Sequence, residues 1–119
     1  MLFAIEANPK ILFTIDDSLW TAAKLQNFVP EKSHYTAIEE NGIMVLSIND
    51  ILPRFRAKGF NERRILRILK CISNNVELPP ILVQQNRRNS SYKYIIIDGF
   101  HRFYSSIAVG FTHIPAVEH

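Results

Sequence analysis

Apolar residues along this chain change their period several times, and each change marks an element. Ile65, Ile68, Leu69 and Ile72 recur three or four positions apart, with Arg63, Arg64, Arg67 and Lys70 largely off that stripe. The spacing predicts an amphipathic helix capped by Asn61 and ended by Asn74-Asn75. Short runs of Ile, Leu and Val at 43–48, 81–85 and 92–97 predict strands, the first entered through the Asn41-Gly42 turn and the second stiffened by Pro79-Pro80. Ile95-Ile96-Ile97 reads as a strand buried on both faces. The polar stretch 86–91 reads as a hairpin loop. That strand stops at Asp98-Gly99, and an amphipathic segment from His101 to Val109 follows before Gly110, so a helix is expected there.

The first forty residues are less regular. Residues 10–15 predict a strand, whereas 2–7 suit either strand or helix. Asp16-Asp17-Ser18 supplies caps for a helix over 19–27, with Leu19, Ala22, Ala23 and Gln26 at helical spacing and Pro30 closing it. Residues 33–40 are expected to form a second short helix, and 49–59 an irregular segment around Pro53. Strands and helices mixed in this order predict an α/β (α+β) architecture, a small, partly antiparallel mixed sheet with helices packed on it.

Composition narrows the picture. A chain of 119 residues suits a single domain, 1–119, with a real core. No apolar run approaches the ~20 residues that cross a bilayer, so no membrane partner is expected. The start of the chain lacks a basic leader and long apolar stretch, and a lone Cys71 fits a reducing, cytoplasmic setting. Charge is distributed unevenly: residues 1–50 carry −4, residues 51–119 carry +7, and Arg54, Arg56, Lys58, Arg63, Arg64, Arg67 and Lys70 face a single Glu62. That cluster favours a polyanion, as a weak and sequence-indifferent nucleic-acid contact, or else is a solvated helix face.

The candidate chemistry lies at 98–102. A strand, a tight glycine turn and a helix bring unpaired backbone N–H groups to one point, where the helix dipole favours an anion. Gly99 permits close approach, and Arg102 offers a fork of donors suited to phosphate. A cation in a first turn opposes the dipole, so an anion or the Asp98 carboxylate must offset it. His101 can donate to the anion, act as general acid or base, or bond the backbone; it is the candidate for catalysis. Asp98 can cap the helix or ligate Mg²⁺. His34, His101, His113 and His119 are too dispersed for a metal site of their own.

These residues carry a resemblance. The order strand, Asp98-Gly99-x-His101-Arg102, helix, and then Gly110 through Ile114-Pro115-Ala116-Val117, resembles the ParB/sulfiredoxin superfamily. Leu78-Pro79-Pro80-Ile81-Leu82-Val83 is similar to the strand that precedes its signature. Val45–Ile51 with Pro53-Arg54-Phe55-Arg56 is similar to its opening strand and arginine loop. The resemblance spans about 43–117 and leaves 1–42 as an unassigned N-terminal extension. It implies a nucleotide or other phosphate at Gly99, Phe100, His101 and Arg102, with Asp98 beside them and Arg54 or Arg56 enclosing the ligand. A nucleoside triphosphate with Mg²⁺ is the implied cofactor.

The departures are informative. Sulfiredoxins place their catalytic cysteine where this chain has Phe100, so reduction of a sulfinic acid is not expected, and Cys71 lies within a predicted helix. Partition-type ParB proteins usually carry Gly-Glu-Arg-Arg and a following helix-turn-helix; here the signature is Gly-Phe-His-Arg and no such element is expected after Val117. The leading expectation is a phosphate- or nucleotide-binding module. The alternatives are an Mg²⁺-dependent nucleotide hydrolase or nuclease at the same pocket, or a ligand-free scaffold that contacts protein partners.

Overall fold

The computed structural model describes residues 1–5, 10–53, 59–88 and 91–119. The helix predicted from the isoleucine stripe is α2 (Glu62–Ser73), and its start and stop follow local chemistry. The Asn61 side chain accepts from the Arg64 N–H at 3.1 Å, and Ile65, Ile68, Leu69 and Ile72 are buried. At its far end Asn75 adopts φ 54°, with Val76 N–H donating to Cys71 O at 2.8 Å and Asn75 N–H to Ile72 O at 3.2 Å. This is the Schellman closure, in which a left-handed residue satisfies the last carbonyls. Burying four such side chains contributes roughly 6–12 kcal/mol before chain entropy is subtracted.

The main sheet has five strands. They are β3 (Met44–Ser47), β4 (Ile51–Leu52), β5 (Ile81–Gln85), β6 (Tyr94–Asp98) and β7 (His113–Glu118), in the spatial order β3-β7-β5-β6-β4. β5 is antiparallel to β6 and parallel to β7; β3 runs antiparallel to β7, and β4 parallel to β6. The pairs Ile81↔Ala116 and Val83↔Ile96 place the apolar residues on one face, where all four are almost fully buried. α2 and α3 (Phe100–Val109) pack against each other, and α3 packs on β5 and β7.

Helices therefore cover this sheet on one side. Within the isoleucine run Ile96 is buried but Ile97 is 43% exposed, which corrects the expectation of a strand buried on both faces. The continuous apolar run conceals a one-sided sheet: side chains alternate between faces, and Ile97 points away from the face on which Ile96 is buried. β4 lies in the segment expected to be irregular, and a 3-10 turn over Ile48–Asp50 takes the last residue of the strand expected over 43–48.

The N-terminal residues belong to the same compact unit. β1 (Leu2–Ile5) pairs antiparallel with β2 (Ile11–Thr14), which resolves the first segment as a strand. Phe3 stacks on Phe13 at 5.3 Å between centroids, and Phe13 meets Tyr104 of α3 edge-on at 4.9 Å, docking this pair of strands on the core. α1 (Asp17–Ala22) begins as expected, with the Asp16 carboxylate accepting from Ser18 N–H, but ends well before Asn27. Lys24 at φ 59° closes it early, so that Ala23 and Leu25 are both buried, an arrangement a continuous helix would not give. Residues 33–40 form no helix either. Ile38 N–H and Leu78 N–H reach across to Leu78 O and Thr36 O, at 2.9 and 3.0 Å, and tie this stretch to the entry of β5.

Candidate functional site

The strand-turn-helix predicted at 98–102 is present, with Gly99 as the residue preceding α3. Gly99 adopts φ 106° and ψ 25°, and no side chain caps the helix. The first N–H groups of α3 have no partners within the helix, so the turn presents donors at the positive end of the dipole. A Cβ at residue 99 would lie 2.5 Å from Ile81 Cγ2 and 3.0 Å from Arg102 Nη2. Glycine is required twice over here, for its backbone angle and because both neighbours occupy the space.

Arg102 is less exposed than a first-turn cation should be. Its side chain is 19% exposed, its Nη2 donates to Pro80 O at 3.4 Å, and its Nε is buried without a partner. Asp98 approaches Nη2 only to 4.0 Å and is itself 79% exposed, so their pairing adds little. Asp98 does not cap α3, which removes the structural role expected of it. The guanidinium's hydrogen-bond partner is instead the Pro80 carbonyl, next to the Pro79 carbonyl that Tyr35 engages. Tyr35 is 2% exposed, and its hydroxyl donates to Pro79 O at 2.6 Å. Burial pushes the Tyr35 phenol above its ordinary value, and the facing guanidinium works against that rise.

His101 is buried at 6% exposure, and its Nε2 accepts from the Asn61 backbone N–H at 3.0 Å. An acceptor Nε2 must be unprotonated, so the proton of the neutral ring sits on Nδ1. The contact joins the first turn of α3 to the cap of α2. That occupies the nitrogen most useful to a general base.

Phe100 packs into an aromatic cluster with Phe60 and Tyr104, at centroid distances of 5.7 and 4.5 Å. It also lines a cavity of about 740 Å³, together with Phe13, Asp16, Asp17, Glu62 and Tyr104. Ser18 holds the Asp16 carboxyl below its usual range, and Asp17 pairs with the N-terminal amine at 2.7 Å. Asp16, Asp17 and Glu62 are the charged side chains that line it among the described residues. Arg102 lies two residues beyond Phe100, about 200° around the helix, and belongs to the other side. The end of the helix is therefore the candidate site for an anion, and Phe100 lines the cavity beside it.

Arg54 and Arg56 lie outside the described residues. Their flanks are informative: β4 is parallel to β6, so the chain leaves Pro53 towards the Asp98 end of the sheet, and it returns at Phe60 against Phe100. Arg63, Arg64, Arg67 and Lys70 are exposed along α2. The described residues contain no group of three or more His, Cys, Asp or Glu able to hold a metal. No helix among them is long and apolar enough to cross a membrane. Sequence reasoning missed Tyr35 because it expected a local helix there; the recurring Pro79-Pro80 carbonyls gave no sign of a distant phenol.

A five-stranded mixed sheet ending in a glycine turn, with helices packed on it, defines a compact α/β domain. The match to known families makes this specific: residues 30–118 match the ParB N-terminal domain, and the chain belongs to that family. The fold is similar to that of the C-terminally truncated chromosome-partitioning protein ParB from Caulobacter crescentus, solved in complex with CTP-gamma-S. The TM-score is 0.51 at 21% identity, over 66% of this chain and 44% of that one. This chain thus spans less than half the length of that relative. Among curated proteins, none matches it.

Proposed function

We propose that this chain binds a nucleoside triphosphate, with its phosphates at the N-terminus of α3 and Arg102 as the principal cation. The observation that carries the reading is the uncapped, positive-φ turn at Gly99, against which a mostly buried guanidinium is held with Nε unsatisfied. Donors placed in advance and partly desolvated bind an oxyanion more strongly than mobile surface lysines do. The ParB relative bound to a nucleotide analogue supports a nucleotide over a bare phosphate. So does the aromatic wall of Phe60 and Phe100 alongside, which offers a base a stacking surface. Arg54 and Arg56 would close over the ligand from the segment between Pro53 and Gly59. Mg²⁺, where present, would be held largely by the phosphates and water, with Asp98, the exposed carboxylate preceding Gly99, as its candidate protein ligand. His101 is assigned a structural role, since Nε2 is engaged with the backbone.

The test is equilibrium titration with fluorescent nucleoside triphosphates, with and without Mg²⁺, while phosphate release is monitored. Wild type should bind and Arg102→Met should lose at least tenfold in affinity, a charge-assisted pair being worth about 1.5–3 kcal/mol. Because Arg102 is largely buried, urea unfolding of the variant must accompany the measurement. Equal affinity in a folded Arg102→Met protein would place the ligand elsewhere.

A further inference from the structure

We propose that His101 is a positioning residue for the base rather than for the phosphates, holding Phe60 and Phe100 together as the wall on which a nucleobase stacks. The inference rests on the nucleotide reading given above and deepens it. Two segments distant in sequence meet here, and each carries a phenylalanine immediately before the residue that makes the contact. Asn61 follows Phe60, His101 follows Phe100, and the Asn61 N–H donates to His101 Nε2 at 3.0 Å. This one hydrogen bond ties the backbones that carry the two rings, whose centroids lie 5.7 Å apart with planes inclined at 37°. The imidazole also meets both rings directly, its centroid 5.9 Å from each and its plane inclined at 62° to Phe60 and 83° to Phe100.

Both ends of the bond are anchored. His101 is buried in the first turn of α3. The Asn61 side chain accepts from Arg64 N–H at 3.1 Å and its carbonyl from Ile65 N–H at 3.0 Å, so the cap cannot shift without loosening the start of α2. Phe60 and Phe100, by contrast, are only half-buried, and both line the cavity beside the turn. A stacking wall works best when its rings are ordered before the ligand arrives, because the rotamer entropy is then lost on folding rather than on binding. Water can replace the imidazole as acceptor for the Asn61 N–H, but it cannot hold the two segments at this spacing. The role requires an unprotonated Nε2, since a second N–H there would face the donor it now satisfies.

The test separates base from phosphate. Calorimetric titrations with the common ribonucleoside triphosphates and with inorganic tripolyphosphate compare wild type, His101→Met and His101→Gln, each checked by urea unfolding. In His101→Met, affinity for the best-bound nucleoside triphosphate should fall about three- to tenfold, the range set by one stacked aromatic contact. Tripolyphosphate affinity should change by less than about twofold, and His101→Gln, which keeps an acceptor at similar reach, should stay within about twofold of wild type for both probes. Equal losses for nucleotide and tripolyphosphate, no loss for either, or a Gln variant no better than Met would overturn the assignment. A second reading needs only the wild type and stands even if the variants unfold. Nitrogen NMR should show His101 Nε2 without a proton at neutral pH, and nucleotide, but not tripolyphosphate, should move the ring signals of Phe60 and Phe100. A protonated Nε2, or ring signals that ignore bound nucleotide, would overturn it as well. If wild type binds neither probe, the nucleotide reading fails and the positioning role with it; if nucleotide binds without these responses, the positioning role alone fails.

Discussion

Replacing Gly99 by alanine tests the physical account of the turn, because the structure separates two costs. The first is conformational: at φ 106° an L-residue is strained, by about 1–2 kcal/mol. The second is steric. The new Cβ would stand 2.5 Å from Ile81 Cγ2 and 2.8 Å from Ile81 Cβ. Ile81 is fully buried, and its Cβ moves only with the strand, so the clash cannot be relieved by a rotamer. Overpacking of this kind costs about 1–3 kcal/mol. The sum, about 2–5 kcal/mol, is a large fraction of the 5–15 kcal/mol that typically stabilises such a domain. Gly42→Ala is the control: φ is 77° there, but nothing lies within 4 Å of the added Cβ. Urea unfolding of the three proteins should therefore show Gly99→Ala to be the less stable variant by about 1–3 kcal/mol. Equal destabilisation by the two substitutions would refute the claim that Ile81 and Arg102 fill the space at Gly99.

Two further predictions concern titration and charge. Burial raises the phenols of Tyr35 and Tyr104, the latter to about 12, so the folded state favours their neutral forms. This stability is complete below the ordinary value of about 10 and is lost as pH rises from there. Unfolding midpoints should fall between pH 10 and 12, with tyrosinate absorbance from these two residues appearing only on unfolding; early ionisation in the folded protein would contradict their burial. The exposed Arg63, Arg64, Arg67 and Lys70 predict nucleic-acid binding that is weak, indifferent to sequence and steeply salt-dependent. If about five phosphates are neutralised, the log–log slope should lie near −4 to −5, and tight binding to one duplex that survives added salt would contradict it.

Much of this could be read from the sequence where the cause is local. The isoleucine stripe and Asn61 specify α2, and Asp98-Gly99 followed by an apolar period specifies the turn and α3, because caps and periodicity act over a few residues. The illegible parts are those fixed from a distance. Residues 33–40 have enough apolar positions for a helix, but pairing with Leu78 holds Ala37 in an extended bridge. Lys24 gives no sequence sign of its left-handed backbone; the burial of Ala23 and Leu25 on either side of it decides the matter. At the site, Arg102 reads as a lone cation because its hydrogen-bond partner is a main-chain carbonyl, Pro80 O, contributed by another segment. His101 reads as chemistry because nothing local shows that its Nε2 meets the cap of α2, forty positions earlier.

The central claim, phosphates at the N-terminus of α3, is tested most directly by amide chemical shifts recorded while a nucleoside triphosphate is added to the isotopically labelled protein. The account predicts that the largest shifts fall on the backbone N–H groups of Gly99, Phe100, His101 and Arg102, and that inorganic tripolyphosphate reproduces them. Shifts confined to β2, α1 and the acidic cavity, with the amides of residues 99–102 unmoved, would contradict it.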